Sequence, residues 1–178
     1  SVYQKTEGKI KYLGGMLFHV GHLKIKHADN TYKGFCHGFG GQLSFLISDH
    51  IRVGSEGYTS YFNYHENQGL FRLGWGGVLI GYQLGNDKIS SVLSLTLGGG
   101  RVNDMQFIEL NTKDDNIDRI IYRKYPVMIA SPAISTEYSF KSKYTMVIRF
   151  DYLFPLISSN MNSFNNGPRI YFGFLFGR

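Results

Sequence analysis

Along most of this 178-residue chain the side chains alternate in chemistry with a period of two, and no helical period competes with it. An extended strand points successive residues to opposite faces, so the alternation commits the chain to β structure. From Lys33 to Ile47 the odd positions read Lys33, Phe35, His37, Phe39, Gly41, Leu43, Phe45, Ile47. The even positions read Gly34, Cys36, Gly38, Gly40, Gln42, Ser44, Leu46. One face is largely greasy and aromatic; the other is small and uncharged. Tyr144, Met146, Ile148, Phe150, Tyr152 and Phe154 share a face, opposite Thr145, Val147, Arg149, Asp151 and Leu153. Near the end, Ile170, Phe172, Phe174 and Phe176 oppose Arg169, Tyr171, Gly173, Leu175 and Gly177.

Turn residues divide the chain into eight such segments, near 9–26, 33–47, 50–64, 69–84, 88–102, 126–140, 144–156 and 167–178. Gly76-Gly77 in the fourth segment reads as a bulge that resets the phase. Tight connections (Ser48-Asp49, Gly85-Asn86-Asp87, Lys141-Ser142-Lys143) alternate with four others, 27–32, 65–68, 103–125 and 157–166. That rhythm predicts one domain over 1–178, an all-β, eight-stranded antiparallel up-and-down barrel behind a 1–8 tail. Tight turns then gather at one end, longer loops at the other, and an even strand count puts both termini at the tight-turn end. The first residue is Ser1 rather than Met, as expected of a processed form.

Residue type decides which face is inside. A soluble lipocalin-like binder would show Lys, Glu and Thr on its polar faces. Here those faces carry Gly34, Gly38, Gly40, Ser44, Gly54, Ser60, Gly74, Ser90, Thr96, Gly98, Gly100, Ser135 and Ser139. Small residues suit the crowded bore of an eight-stranded barrel, which has room only for side chains or one small ligand. About 25 large aromatic and aliphatic groups on the greasy faces would not fit there and therefore belong outside. Charged residues make up 18% of the chain, against about 25% in ordinary soluble domains. The few in mid-strand fall on the polar face: Arg52, Glu56, Arg72, Glu137, Arg149 and Asp151. Three acids and three bases can neutralise one another in a lumen, whereas an Arg at the bilayer midplane costs about 2–4 kcal/mol. An apolar exterior around a polar bore is favourable only in a bilayer, where closed barrels satisfy every backbone group. Tyr12, Phe45, Tyr82, Phe140, Tyr144, Phe174 and Phe176 would form one interfacial girdle, and Tyr61, Phe71 and Phe154 the other.

In strand number, alternation, turn rhythm and the Phe-rich closing run Tyr171-Phe172-Gly173-Phe174-Leu175-Phe176, the chain resembles the small eight-stranded outer-membrane barrels of the OmpA and OmpX type. The resemblance is architectural and covers nearly the whole chain. It implies a bacterial outer-membrane location, with the tight turns and both termini periplasmic and outer-membrane lipid or lipopolysaccharide as surroundings. Such proteins usually end on an aromatic residue; here Gly177 and Arg178 follow Phe176.

The six lumen charges are expected to form a salt-bridged plug rather than an ion path, since eight strands leave no open channel. His19 and His37 fall on neighbouring segments, but no carboxylate or cysteine completes a metal set, so neither metal nor cofactor is expected. Small barrels include lipid A deacylases, whose pattern puts a Ser two residues after the His. None of the six histidines has one, so a lipid-modifying enzyme is the alternative and a non-enzymatic surface protein or envelope-complex subunit the expectation. The glycine pairs precede no Lys-Ser/Thr, which excludes a phosphate loop. Cys36 faces the lumen as a filler. A net charge of +6 without a Lys/Arg block gives no nucleic-acid signature. In 103–125, Met105–Leu110 and Ile117–Tyr122 flank a polar turn, which reads as a ribbon protruding from the fifth and sixth strands. It is either an ordered loop without a partner or a docking surface for another outer-membrane or extracellular protein. Phe107, Ile108, Leu110, Ile120 and Tyr122 would then make the contact.

Overall fold

A computed structural model describes residues 11–27, 30–64, 69–109, 118–140, 143–158 and 164–177; the 1–8 segment lies outside them. The strands are β1 (Lys11–His27), β2 (Asn30–Leu46), β3 (Ile51–Tyr64), β4 (Gly69–Gly85), β5 (Ile89–Glu109), β6 (Asp118–Phe140), β7 (Tyr144–Tyr152), β8 (Phe154–Ser158) and β9 (Phe164–Gly177). All pairings are antiparallel, and β5 joins β6 while β1 joins β9, so the sheet closes on itself. β7 and β8 are two halves of one wall strand, interrupted at Leu153 and both paired with β6. The wall therefore has eight strand positions, the up-and-down barrel that the turn rhythm requires.

Turn chemistry shapes the short-turn end. Gly85 has φ +119°, a left-handed conformation in which a Cβ would also lie 2.4 Å from the Ile89 carbonyl oxygen. Asn86 Oδ1 then accepts the backbone N–H groups of Lys88 and Ile89 at 3.0 and 2.9 Å, an Asx turn. Lys11 pairs with Leu46, and Gly177 N donates to Lys143 O at 3.3 Å, so the described ends of β1 and β9 lie beside these turns.

Outside, the turn-side part of the wall is a continuous apolar belt. Phe18, Leu93 and Phe172 are more than half exposed, and Phe39, Val78, Ile80, Leu95, Ile134 and Phe150 stand around them. A patch of this extent on a monomer marks contact with something apolar. β5 and β6 span 21 and 23 residues, against the roughly 9–11 a tilted strand needs to cross a bilayer. Their loop-side halves therefore project beyond the belt.

Two expectations fail in the loop-side half. The β3–β4 register runs unbroken from Ile51↔Tyr82 to Tyr64↔Gly69, and β4–β5 from Gly85↔Ser90 to Gly69↔Gln106. No bulge resets the phase at Gly76-Gly77, so Phe71, Leu73, Trp75 and Leu79 all point inward and are buried. Gly74 and Arg72 consequently face outward. Arg72 is exposed, its guanidinium 5.5 Å from the Tyr61 ring, and belongs to no lumen network. Phe71, 1% exposed, belongs to no girdle. The second failure is that the bore is not small and polar throughout. Leu23, Ile25, Phe62, Phe71, Leu73, Val102, Tyr125, Val127 and Leu153 are buried in its loop-side half. Glycine makes room for them: a Cβ on Gly34 would lie 2.5 Å from Cε2 of Phe62. The physical reason is a change of solvent along the strand. Beyond the belt, water lies outside, and the favourable arrangement there is apolar inward and polar outward.

Candidate functional site

Two charge clusters fill the bore below this apolar plug. Nearer the turns, β3 brings Arg52 and β6 brings Glu137 to a two-pronged pair, Nη1–Oε1 2.6 Å and Nη2–Oε2 2.9 Å. Arg52 Nη2 also donates to Gln83 Oε1 at 2.5 Å. Both charged side chains are buried, yet they form the floor of a cavity of about 720 Å³ that opens between the tight turns, with Ser44, Gln83, Ser90 and Thr145 on its walls.

Deeper in, β3, β7 and β9 contribute a chain of four alternating charges, Glu56, Arg149, Asp151 and Arg169. Arg149 grips Glu56 with both terminal nitrogens, Nη2–Oε1 being 2.7 Å, and lies 3.7 Å from Asp151 Oδ2. Arg169 donates to Asp151 through Nε (2.9 Å) and Nη2 (2.7 Å). The carboxylates take further bonds from Thr96 to Glu56 (2.6 Å), and from Ser131 (2.8 Å) and Tyr171 (2.9 Å) to Asp151. Tyr171 lies 5.3 and 5.5 Å from the two guanidinium carbons, and the Trp75 ring lies 5.2 Å from that of Arg169. Two positive and two negative charges sum to zero, as do Arg52 and Glu137. Paired and hydrogen-bonded in this way, buried charge is tolerable; removing one member costs about 3–5 kcal/mol.

Of the six charges singled out from sequence, five lie in these clusters and Arg72 does not. Arg169 is the one that sequence reasoning missed. Its signal is its phase with Tyr171, Gly173 and Leu175, two residues into the 167–178 segment, where a charge reads as one at a strand end. His19 and His37 lie on opposite sides of the wall, His19 buried and His37 exposed, so they cannot share a ligand. His19 instead shares a 2.8 Å hydrogen bond with Ser60 across β2. His19 Nδ1 has no hydrogen-bond partner among the described residues, and both residues are buried, so the pair lacks the third member and the substrate access of a catalytic triad. Cys36 is buried in the bore.

At the other end, β5 and β6 stay paired out to Glu109↔Asp118. Among the described residues, the β4–β5 pairing ends at Gly69↔Gln106 and the β6–β8 pairing at Val127↔Ser158, so residues 120–124 pair with β5 on one side and with no described strand on the other. Ile120 and Tyr122 are 59% and 50% exposed on this ribbon. Leu110 and the side chains of Phe107 and Ile108 lie outside the described residues.

No family model and no curated protein sequence matches the chain. Among solved structures it is similar to Ail, the attachment invasion locus protein of Yersinia pestis, in complex with the heparin analogue sucrose octasulfate. That likeness has 9% identity, a TM-score of 0.56, and covers 94% of this chain and 99% of that one. Neisserial surface protein A follows at 13% identity and TM-score 0.53, covering 94% and 95%. The N-terminal β-barrel domain of Pseudomonas aeruginosa OprF shares 13% identity at TM-score 0.50, covering 92% and 99%. At such identities the likeness is one of fold: the chain is an eight-stranded barrel of the outer-membrane type.

Proposed function

We propose that this outer-membrane-type barrel is a non-catalytic surface protein, anchored by its belt and exposing the β5–β6 ribbon as a docking edge for another outer-membrane or extracellular protein. The observation that carries the reading is that, among the described residues, no strand pairs with the outer side of residues 120–124, where Ile120 and Tyr122 offer apolar contact to an added strand. Sheet edges left open attract pairing unless something blocks them. The bore supports the same reading by serving a mechanical role. Neutral ion clusters and an apolar plug stiffen the anchor, and outer-membrane lipid or lipopolysaccharide surrounds it.

A photo-crosslinker placed at position 122 should give a discrete adduct in native outer membranes. The same probe at Tyr12, on the opposite rim, should not. Deleting 106–122 should abolish the complex while the barrel keeps its heat-modifiable gel migration. Complexes unchanged by the deletion would remove the docking role.

A further inference from the structure

The outer wall above the belt carries cations and, among the residues whose side chains are described, no acid. Lys24, Lys33, Arg72, Arg101 and Lys124 are all exposed there. Described carboxylates lie elsewhere: Glu56, Asp104, Glu137 and Asp151 are buried, and Asp49 and Asp87 sit in tight turns. Lys24 even stands directly opposite Lys33, a like-charge pair that works against the sheet.

The densest group lies on β4–β6. Arg72 pairs with Asn103, which pairs with Lys124, while Arg101 pairs with Gly74 and Pro126. Arg101 is thus the diagonal neighbour of both other cations, a separation of roughly 7–8 Å between strands. Asn103 lies between them, its Oδ1 accepting the Tyr122 hydroxyl at 3.1 Å, and a Cβ on Gly74 would meet nothing within 4 Å. Toward the turns the belt begins: on the outer face of β4 Val78, Ile80 and Tyr82 follow Arg72 past Gly74 and Gly76, and on β5 Leu93, Leu95 and Leu97 precede Arg101, with Gly99 between.

We propose that Arg72, Arg101 and Lys124 form a binding site for the phosphate groups of an anionic lipid in the loop-side leaflet. This rests on the membrane-spanning reading above and gives it a lipid class. Guanidinium forks match phosphate oxygens in geometry. The continuity of the cations with the belt selects a lipid over a soluble polyanion, because acyl chains occupy the belt while the headgroup meets the arginines.

The test uses the full chain in nanodiscs of phosphatidylcholine doped with bisphosphorylated lipid A or with its dephosphorylated form, and counts retained lipid by native mass spectrometry. Wild type should retain the bisphosphorylated lipid selectively. The exposed triple variant Arg72→Gln/Arg101→Gln/Lys124→Gln should lose about a hundredfold in affinity, at about fivefold per cation. Lys11→Gln/Lys143→Gln, at the opposite rim, should behave as wild type. Equal retention by the triple variant, or equal retention of the dephosphorylated lipid, overturns the site. So does binding of a heparin fragment that the triple variant loses while lipid A is not retained, which would reassign the patch to sulfated polysaccharide. Failure of the chain to insert into bilayers would instead sink the membrane reading itself; insertion with unchanged lipid retention sinks only the site.

Discussion

The turn-side and loop-side halves of this barrel use the same backbone and the same alternation to opposite chemical ends. Around Leu95 and Phe150 the outer face is apolar, and the bore holds Glu56, Arg149, Asp151 and Arg169. Around Arg72 and Arg101 the outer face is charged, and the bore holds Phe62, Phe71, Leu73 and Val102. One half is a membrane protein by its surface; the other is built like a small soluble domain. The difference teaches that the solvent outside, not the strand, sets the polarity of each face. Where lipid covers the wall, polar residues retreat inward and must pair. Where water covers it, the ordinary hydrophobic core returns.

Three sets of variants sharpen or break this contrast. The largest effect is expected from Glu56→Ala, which leaves Arg149 buried without its two-pronged partner. Denaturant unfolding in micelles should show a loss of about 3–5 kcal/mol. Glu56→Leu combined with Arg149→Met should recover most of it; a double variant no better than the single one would mean that pairing is not what the charges need. Next, an arginine should be costly or tolerated according to the half that receives it. Leu95→Arg in the belt should cost about 2–4 kcal/mol and Asn63→Arg, on the loop-side outer face, about 0–1 kcal/mol in bilayer refolding equilibria. Equal costs would erase the boundary between the halves. The smallest effect is expected at Arg72→Ala, which removes an exposed cation from the Tyr61 ring and should cost about 0.5–1 kcal/mol by the same assay. A loss several times larger would return Arg72 to the buried network.

The candidate sites were unevenly legible. Glu56, Arg149 and Asp151 could be read as lumen residues because their own strand segments keep a clean phase. Arg72 misled because its face was chosen by polarity, and polarity reverses above the belt. Gly76-Gly77 looked like a bulge for the same reason: the apparent change of phase along β4 is a change of surroundings along a regular strand. The His19–Ser60 contact joins residues 41 positions apart, across an intervening strand. No local spacing announces a contact set by register.

Sequence alone determined the strand class, the barrel, and the lipid-facing side of the turn-side half, because a two-residue period and turn chemistry are local properties that each segment carries by itself. Only the tertiary structure decided which guanidinium meets which carboxylate and at what height the wall leaves the membrane. Both depend on the stagger accumulated strand by strand around a closed ring, and no single segment encodes that sum.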